Sequence, residues 1–377
     1  MTIDSMPQFR DADRCRTLVL KVGSSLLVDT GGHVRREWLR GFAGEIAELR
    51  ARGQDIVVVS SGAIALGAAR LGIERAAIQN LADAQAAACV GQIALAEVWA
   101  SLFQERAIKA AQLLLTLGDL EERGRYLNAC STLSRLLEWG IVPIVNENDS
   151  VATEEIRFGD NDRLAARVAQ AARADGVILL SDVDGLFDRA PGDPTAKLVP
   201  TIRGVTDNVR AMAGGASAIG VGTGGMTSKL EAAQIAERAG IPLAIINGTH
   251  DRPVGTALTA GIGTIFLPTR NDRARRAWLG GRKAAKGTLV VDAGCVAALR
   301  EEASLLAVGI VNVRGDFARG DLVAVSDADG RVVAQGLAEY GAGDARVIMG
   351  LPQGDQAAAL GHSPRSAVVH RDHLVLL

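Results

Sequence analysis

Two of the six lysines in this chain lie in short stretches rich in glycine and hydroxyl side chains. Lys21 opens the stretch Lys-Val-Gly-Ser-Ser at the end of an apolar run, and Lys229 closes the stretch Gly-Thr-Gly-Gly-Met-Thr-Ser-Lys that begins at Gly222. Clustered glycines let backbone N–H groups close around phosphate oxygens, and a lysine adds a mobile positive charge. The two stretches therefore predict a phosphate-binding site, although an exposed lysine at a strand end is an equally good interpretation of Lys21 taken alone.

The glycine-rich stretch before Lys229 differs from two familiar nucleotide-binding motifs. It is not a Walker A loop, because no glycine directly precedes the lysine. The Gly-x-Gly-x-x-Gly spacing from Gly220 matches the dinucleotide fingerprint by letters, but segment 214–218 before it is not strand-like, so the required context is missing. Ser228 and Glu231 have the spacing of a capping box, which predicts Ser228 as the N-cap of the next helix.

Polar and acidic residues are concentrated in two loops, Asn-Glu-Asn-Asp at 146–149 after an apolar run and Gly-Asp-Asn-Asp at 159–162 before a helical pattern. Acidic groups this close repel one another, so we expect them to hold an ammonium group, Mg²⁺ or a catalytic lysine; a solvated acidic loop is the alternative. Ser-Ser-Gly-Ala-Ile at 60–64 opens a helix, where free N–H groups bind carboxylate or phosphate oxygens. A plain serine N-cap is the simpler interpretation there.

Length and composition limit the class of protein. The chain has 377 residues, 48% hydrophobic and 22% charged, which predicts a globular protein of two domains. Its formal net charge of −2 predicts no general attraction to nucleic acid or to anionic membranes. The four cysteines are far apart and form no Cys-x-x-Cys pair, which favours a reducing cytoplasm. The polar N-terminus and the lack of a run of ~18 apolar residues argue against secretion and membrane insertion.

Apolar runs alternate with helical patterns along the first two thirds of the chain, which predicts a three-layer α/β/α sandwich around a mostly parallel sheet. The predicted strands are 17–22, 55–60, 112–116, 142–146, 176–181 and 243–247. The predicted helices are 38–51, 82–105, 127–139, 162–172 and 228–239. Because ligands bind outside the carboxyl ends of parallel strands, Lys21, Ser61 and Asn146 are expected at one edge.

The amino-acid composition changes after residue 269. Residues 270–286 are rich in arginine and glycine and predict a linker between a domain at 15–269 and a domain at 287–377. Short alternating runs in the second domain predict a small β-barrel, with strands at 288–291, 322–326, 332–337 and 367–377. His370 and His373 lie in the last run, three residues apart, and are interpreted as surface histidines that share no metal.

These motifs, in this order, resemble the amino acid kinase family. The most specific are Ser-Gly-Ala-Ile-Ala at 61–65, Val-Asn-Glu-Asn-Asp at 145–149, Gly-Asp-Asn-Asp at 159–162 and Gly-Thr-Gly-Gly-Met at 222–226. The stretch Gly-Asp-Phe-Ala-Arg-Gly-Asp at 315–321 resembles part of a PUA domain. Small departures, such as serine at 60 and 181 and the order Thr-Ser at 227–228, exchange one hydroxyl for another.

The resemblance implies a role for each matching residue. Lys21 and Lys229 would contact the transferring phosphoryl group, and Asp162 would hold the two lysines in place. The substrate would be bound by Ser61, Asn146, Asp149, Asp160 and Asn161. ATP would be bound by Lys21, Ser181, Asp182, Thr223, Gly224, Gly225, Met226, Thr227, Ser228 and Lys229.

Within the family, the chain closely resembles bacterial members that use ATP and Mg²⁺ to phosphorylate the γ-carboxylate of L-glutamate, the first step of proline biosynthesis. The resemblance also implies a homo-oligomer inhibited by proline. Other family activities, on N-acetylglutamate, aspartate, carbamate or a nucleoside monophosphate, are the alternatives, and the acidic loops argue for a substrate with a free ammonium group. RNA binding by the tail is a further alternative, but from Gly287 onward seven arginines face eleven acidic residues, which disfavours it.

Overall fold

The computed structural model describes residues 3–29, 31–74, 77–78, 80–152, 160–214, 225–269, 285–301 and 303–376. Contacts divide the chain into two compact units. The first unit is Met1–Glu121 with Asn128–Asn271, and the second is Glu122–Leu127 with Asp272–Leu377.

An eight-stranded sheet is the centre of the first unit. Its strands are β1 (Thr17–Val22), β2 (Asp55–Ser60), β3 (Ala110–Leu115), β4 (Val142–Glu147), β5 (Gly176–Ser181), β6 (Thr201–Arg203), β7 (Leu243–Asn247) and β8 (Thr264–Leu267), in the order β3-β4-β2-β1-β5-β7-β8-β6. All neighbours are parallel except β7 and β8. The predicted mostly parallel sheet is confirmed, and the six predicted strands are all present, with β3 beginning two residues earlier than the apolar run suggested.

Helices cover both faces of this sheet. They are α1 (Ser24–Leu27), α2 (Arg36–Ala51), α3 (Ala63–Leu71), α4 (Leu81–Gln104), α5 (Leu117–Glu121), α6 (Arg123–Glu138, which begins in the second unit), α7 (Asp160–Ala172), α8 (Asp207–Gly214), α9 (Met226–Arg238) and α10 (Pro253–Ala260). A short 3₁₀ helix, Met6–Arg10, precedes β1. In β1, Leu18 and Leu20 join the core formed with α2 and α4, so the alternate residue Lys21 faces the layer that contains α7 and α9.

Helix α4 is, among the described residues, the one helix long and apolar enough to cross a membrane. Half of its most apolar window is buried inside the protein, and Leu95, Trp99 and Leu102 are fully packed in the core. Its apolar character is therefore that of a core helix in a globular domain.

Two glycines bring α3 and α4 into backbone contact. A methyl group added at Gly67 would lie 1.7 Å from the carbonyl oxygen of Ala87, and one added at Gly91 would lie 1.7 Å from that of Ala63. Only glycine allows so close an approach. The crossing fixes α4 relative to the start of α3, which follows directly from the end of β2.

The second unit contains a five-stranded sheet in the order β10-β9-β11-β12-β13. Its elements are β9 (Gly287–Val291), α11 (Ala293–Arg300), β10 (Ile310–Gly315), β11 (Leu322–Ser326), β12 (Val332–Leu337), α12 (Ala342–Ile348), α13 (Gln353–Leu360) and β13 (Leu374–Leu376). The neighbours are antiparallel except β9 and β11. The strand predicted at 367–377 is much shorter, because residues 371–373 form a 3₁₀ helix.

The interpretation of His373 as a surface residue is wrong. Its side chain is only 6% exposed, and Nδ1 lies 3.8 Å from Glu339, which is itself paired with Arg319. The alternating hydrophobic pattern predicted the last strand. It could not reveal that the buried carboxylate of Glu339, which follows β12, lies beside the His373 ring.

Candidate active site

Three strands, β2, β4 and β5, carry polar residues where they end at the carboxyl edge of the larger sheet. The register pairs Val22 with Ser60 and Val59 with Val145, so Asn146 is level with Ser60 across β2 and β4. Ser181 ends β5 on the other side of β1. Adjacent strands are about 4.8 Å apart, so Asn146 lies roughly 10 Å from the end of β1. This is a distance that one small molecule can span.

A buried charge cluster occupies one face of this edge. The carboxylate of Asp162, on α7, is fully buried and pairs through Oδ1 with the ammonium group of Lys21. Its Oδ2 lies 3.3 Å from Nζ of Lys229, on α9. Both lysines are only 6% exposed. The cluster carries two positive charges and one negative charge, so it presents a net positive charge that an anion can neutralise.

The cluster shifts the pKa of two of its members. Burial alone would raise the pKa of Asp162, but the charges of Lys21 and Lys229 outweigh it and hold that pKa below its usual range. Burial lowers the pKa of Lys21, and repulsion by Lys229 adds to this effect against the attraction of Asp162. Asp162 is therefore ionised at neutral pH, and Lys21 gives up its proton more easily than an ordinary lysine.

The prediction that Ser228 caps α9 is wrong. The helix begins at Met226, and Gly225 is its N-cap. The hydroxyl of Ser228 instead donates to Oδ2 of Asp162 at 2.9 Å and also lies 2.9 Å from the carbonyl oxygen of Gly225. The local spacing suggested a cap, but a carboxylate from α7 takes the hydroxyl and thereby ties the beginning of α9 to the charge cluster.

A second group of polar side chains lies on the opposite face of the same edge. Asn146 is 2% exposed and donates from Nδ2 to Oε1 of Gln92, on α4, at 2.7 Å. Its Oδ1 is buried and has no hydrogen-bond partner among the described residues. Oδ1 of Asn161, next to Asp162 at the start of α7, is likewise buried without such a partner. Buried acceptors without donors are costly, at about 1–3 kcal/mol each, and they indicate where a ligand donates.

The start of α3 completes this face. Ser60 is fully buried, and its Oγ accepts a hydrogen bond from Nε1 of Trp99 at 3.0 Å. Ser61 is half-buried, and its backbone N–H donates to the carbonyl oxygen of Val22 at 3.2 Å. Gly62 follows with a φ of 97°, a left-handed conformation that turns the chain into α3. The first N–H groups of α3 are thus delivered to the sheet edge, as the sequence predicted.

Ser181, Asp182 and the start of α9 are the described parts of the segments predicted to contact the nucleotide. Ser181 is buried and its Oγ lies 3.2 Å from Oδ1 of Asp182, whose carboxylate is exposed. Asp182 also acts electrostatically on Lys21, which places it near the cluster. Thr227 is exposed in the first turn of α9. Thr223, Gly224 and the side chain of Asp160 lie outside the described residues.

Sequence reasoning missed Gln92 and Trp99, which hold Asn146 and Ser60 from α4. Both lie inside a long apolar helix without any local motif, so only the crossing of α4 over the sheet reveals them. Among the described residues, no group of three or more His, Cys, Asp or Glu side chains could hold a metal.

The fold and this edge define the class of protein. The model of the amino acid kinase family matches residues 16–247, more than half of the chain, and that of the PUA domain matches residues 287–353. The chain belongs to the amino acid kinase family, and it carries a C-terminal PUA domain.

Relatives that match it along nearly their whole length bear the name glutamate 5-kinase. The protein of that name from Novosphingobium aromaticivorans is 55% identical over 377 residues, covering 100% of both chains. That from Sphingopyxis alaskensis is 58% identical over 363 residues, covering 96% of this chain and 98% of the relative.

Proposed function

We propose that the protein is an ATP-dependent kinase that phosphorylates the γ-carboxylate of L-glutamate, the activity in the name of its relatives and the first step of proline biosynthesis. The observation that carries the proposal is the pairing of Lys21 and Lys229 with one buried carboxylate, at the same sheet edge as the unpartnered oxygen of Asn146. One face of the edge suits a phosphoryl group, and the other suits a donor such as an ammonium group.

The acceptor needs no general base. A γ-carboxylate has a reference pKa of ~4.3 and is already ionised at neutral pH. Catalysis then consists of aligning two anions and neutralising their charge. Lys21 and Lys229 supply that charge, and Asp162 keeps the two ammonium groups on one centre. Mg²⁺ would neutralise further phosphate charge, and the exposed carboxylate of Asp182 would be available as one of its ligands.

Substrate selection is assigned to the opposite face of the edge. Asn146 provides an oxygen acceptor on that face, Asn161 at the start of α7 and Asp149 after β4 provide others nearby in the chain, and Asp160 adds a further carboxylate in the sequence. A free ammonium group donates to such acceptors, whereas the acetylated nitrogen of N-acetylglutamate carries no charge. Ser61 and the first N–H groups of α3 are assigned to a carboxylate of the substrate.

We assign the kinase domain to residues 15–269, the linker to 270–286 and the PUA-like domain to 287–377. The family resemblance supports a cytoplasmic homo-oligomer with proline as the feedback inhibitor. No observation on the described residues of the second unit favours RNA as a partner.

The test is ATP consumption with each acceptor in turn: glutamate, N-acetylglutamate, aspartate and carbamate. Hydroxylamine traps an acyl phosphate as a coloured hydroxamate, so the product class is read directly. We expect ADP and hydroxamate with glutamate and little of either with N-acetylglutamate. A preference for N-acetylglutamate, or ADP release without hydroxamate, would contradict the assignment.

A further inference from the structure

We propose that Gln92 is a positioning residue that fixes the amide of Asn146 with its oxygen toward the substrate, and thereby selects a substrate with an ammonium group. The inference rests on the proposed function, because it concerns how the same site recognises glutamate.

The argument begins with the two ends of the Asn146 amide. An amide side chain offers two donors on nitrogen and an acceptor oxygen, and rotation by 180° exchanges them. Here Nδ2 donates to Oε1 of Gln92 at 2.7 Å, and Oδ1 is buried without a partner among the described residues. The hydrogen bond to Gln92 therefore decides which end faces the substrate: the acceptor is presented and the donor is occupied.

The position of Gln92 is itself fixed. It follows Gly91 in the sequence, at the point where the backbones of α3 and α4 touch. A side chain that begins at such a crossing has a rigid base, which keeps the amide of Gln92 within reach of Asn146 at the end of β4. Trp99, two turns further along α4, fixes Ser60 by the same kind of contact across the same face. Helix α4 thus orients two polar side chains of the site, those of Asn146 and Ser60.

The consequence for recognition follows from charge. A presented oxygen attracts an ammonium group, whereas a presented NH₂ group would repel it. A hydrogen bond to a charged partner contributes more than one between neutral groups. Loss of the Gln92 acceptor should therefore weaken the binding of glutamate, and should have little effect on an analogue that lacks the amino group.

The experiment compares wild-type protein with Gln92→Met, which removes the acceptor at similar volume, and Gln92→Glu, which keeps an acceptor in place. Glutamate and glutarate serve as acceptors, since glutarate is glutamate without its ammonium group. Gln104→Met is the matched control, because it makes the same change at an exposed position on the same helix.

For Gln92→Met we expect the KM for glutamate to rise about tenfold, with kcat and the KM for ATP within about twofold of wild type. The KM for glutarate should stay unchanged, and Gln92→Glu should restore most of the loss. The proposal is overturned if Gln92→Met has the same KM for glutamate as the control, or if its KM rises equally for glutamate and glutarate. Absence of hydroxamate with the wild-type protein would instead reject the proposed function, so the two failures are distinguishable.

Discussion

Lys21 and Lys229 each pair with a different oxygen of the same carboxylate, that of Asp162, although they come from a strand and a helix far apart in the chain. Two ammonium groups this close repel each other, and the carboxylate between them makes the arrangement stable. The arrangement offers an anion two positive charges in one place, as the proposed phosphoryl transfer requires.

Replacing Lys229 by alanine should mainly affect turnover. In the proposed mechanism the ammonium group acts on charge that develops during transfer, so we expect kcat to fall by about 10²- to 10³-fold, with a much smaller change in the KM for ATP. Steady-state kinetics with a coupled ADP assay measures both. Lys109→Ala, at an exposed position, is the control. A near-normal kcat in Lys229→Ala would remove this residue from the mechanism.

The fall of kcat at alkaline pH, the alkaline limb of the pH profile, should report the loss of the positive charge of Lys21. Burial lowers the pKa of Lys21, so its charge is lost below the ~10.4 of an ordinary lysine, and kcat should fall as the pH rises through that range. In Asp162→Asn the attraction that opposes this shift is gone, so the limb should move to lower pH. Lys21→Arg stays charged and should show no such limb in its remaining activity.

An alkaline limb at the same pH in wild type and Asp162→Asn would show that Lys21 does not control it. Thermal unfolding of both proteins at neutral pH is the companion measurement. Removing the negative member leaves two buried ammonium groups without a counter-charge, and we expect a loss of about 3 kcal/mol in the free energy of unfolding.

Asp149→Ala should raise the KM for glutamate. Asp149 is half-buried and follows two residues after the end of β4, the strand that carries Asn146. Loss of a carboxylate partner predicts a rise of roughly ten- to one-hundred-fold, with kcat reduced less. Asp13→Ala, at an exposed position, is the control. An unchanged KM would place the substrate site elsewhere.

Much of the site could be predicted because its residues follow strands with a clear signature. Continuous apolar runs predicted β1, β2, β4 and β5, and parallel strands present their carboxyl ends at one edge. Lys21, Ser61 and Asn146 were therefore expected together before any contact was known.

The parts that failed depend on contacts between elements distant in sequence. Ser228 has the local spacing of a cap, but Asp162 takes its hydroxyl and Gly225 caps the helix instead. Gln92 has no motif around it, because its role comes from the crossing of two helices. The alternating hydrophobic pattern alone assigned His373 to the surface, whereas its side chain is buried beside Glu339.

The crossing of α3 and α4 can be tested with alanine. In Gly67→Ala the new methyl group would collide with backbone, so we expect a loss of about 3 kcal/mol in the free energy of unfolding. The displaced α4 should also raise the KM for glutamate through Gln92. Gly41→Ala is the matched control, because it lies in α2 with nothing near its added methyl group. That change should stabilise the protein by about 0.5–1 kcal/mol, and equal effects of the two substitutions on stability would contradict the close approach.

In the second unit, Glu339→Gln should destabilise the protein in a pH-dependent way. Burial would raise the pKa of Glu339, but the nearby ring of His373 and the charge and hydrogen bonds of Arg319 lower it below its usual range. A carboxylate with a lowered pKa stabilises the folded state above its ordinary pKa, and this stabilisation is lost as the pH falls through the lowered value.

At pH 7 we expect Glu339→Gln to lower the free energy of unfolding by about 2 kcal/mol. The difference from wild type should shrink as the pH falls below about 4. Calorimetry across this range, with the exposed Glu301→Gln as control, measures the effect; a difference that stays constant with pH would mean that the ionised carboxylate is not the source of the stability.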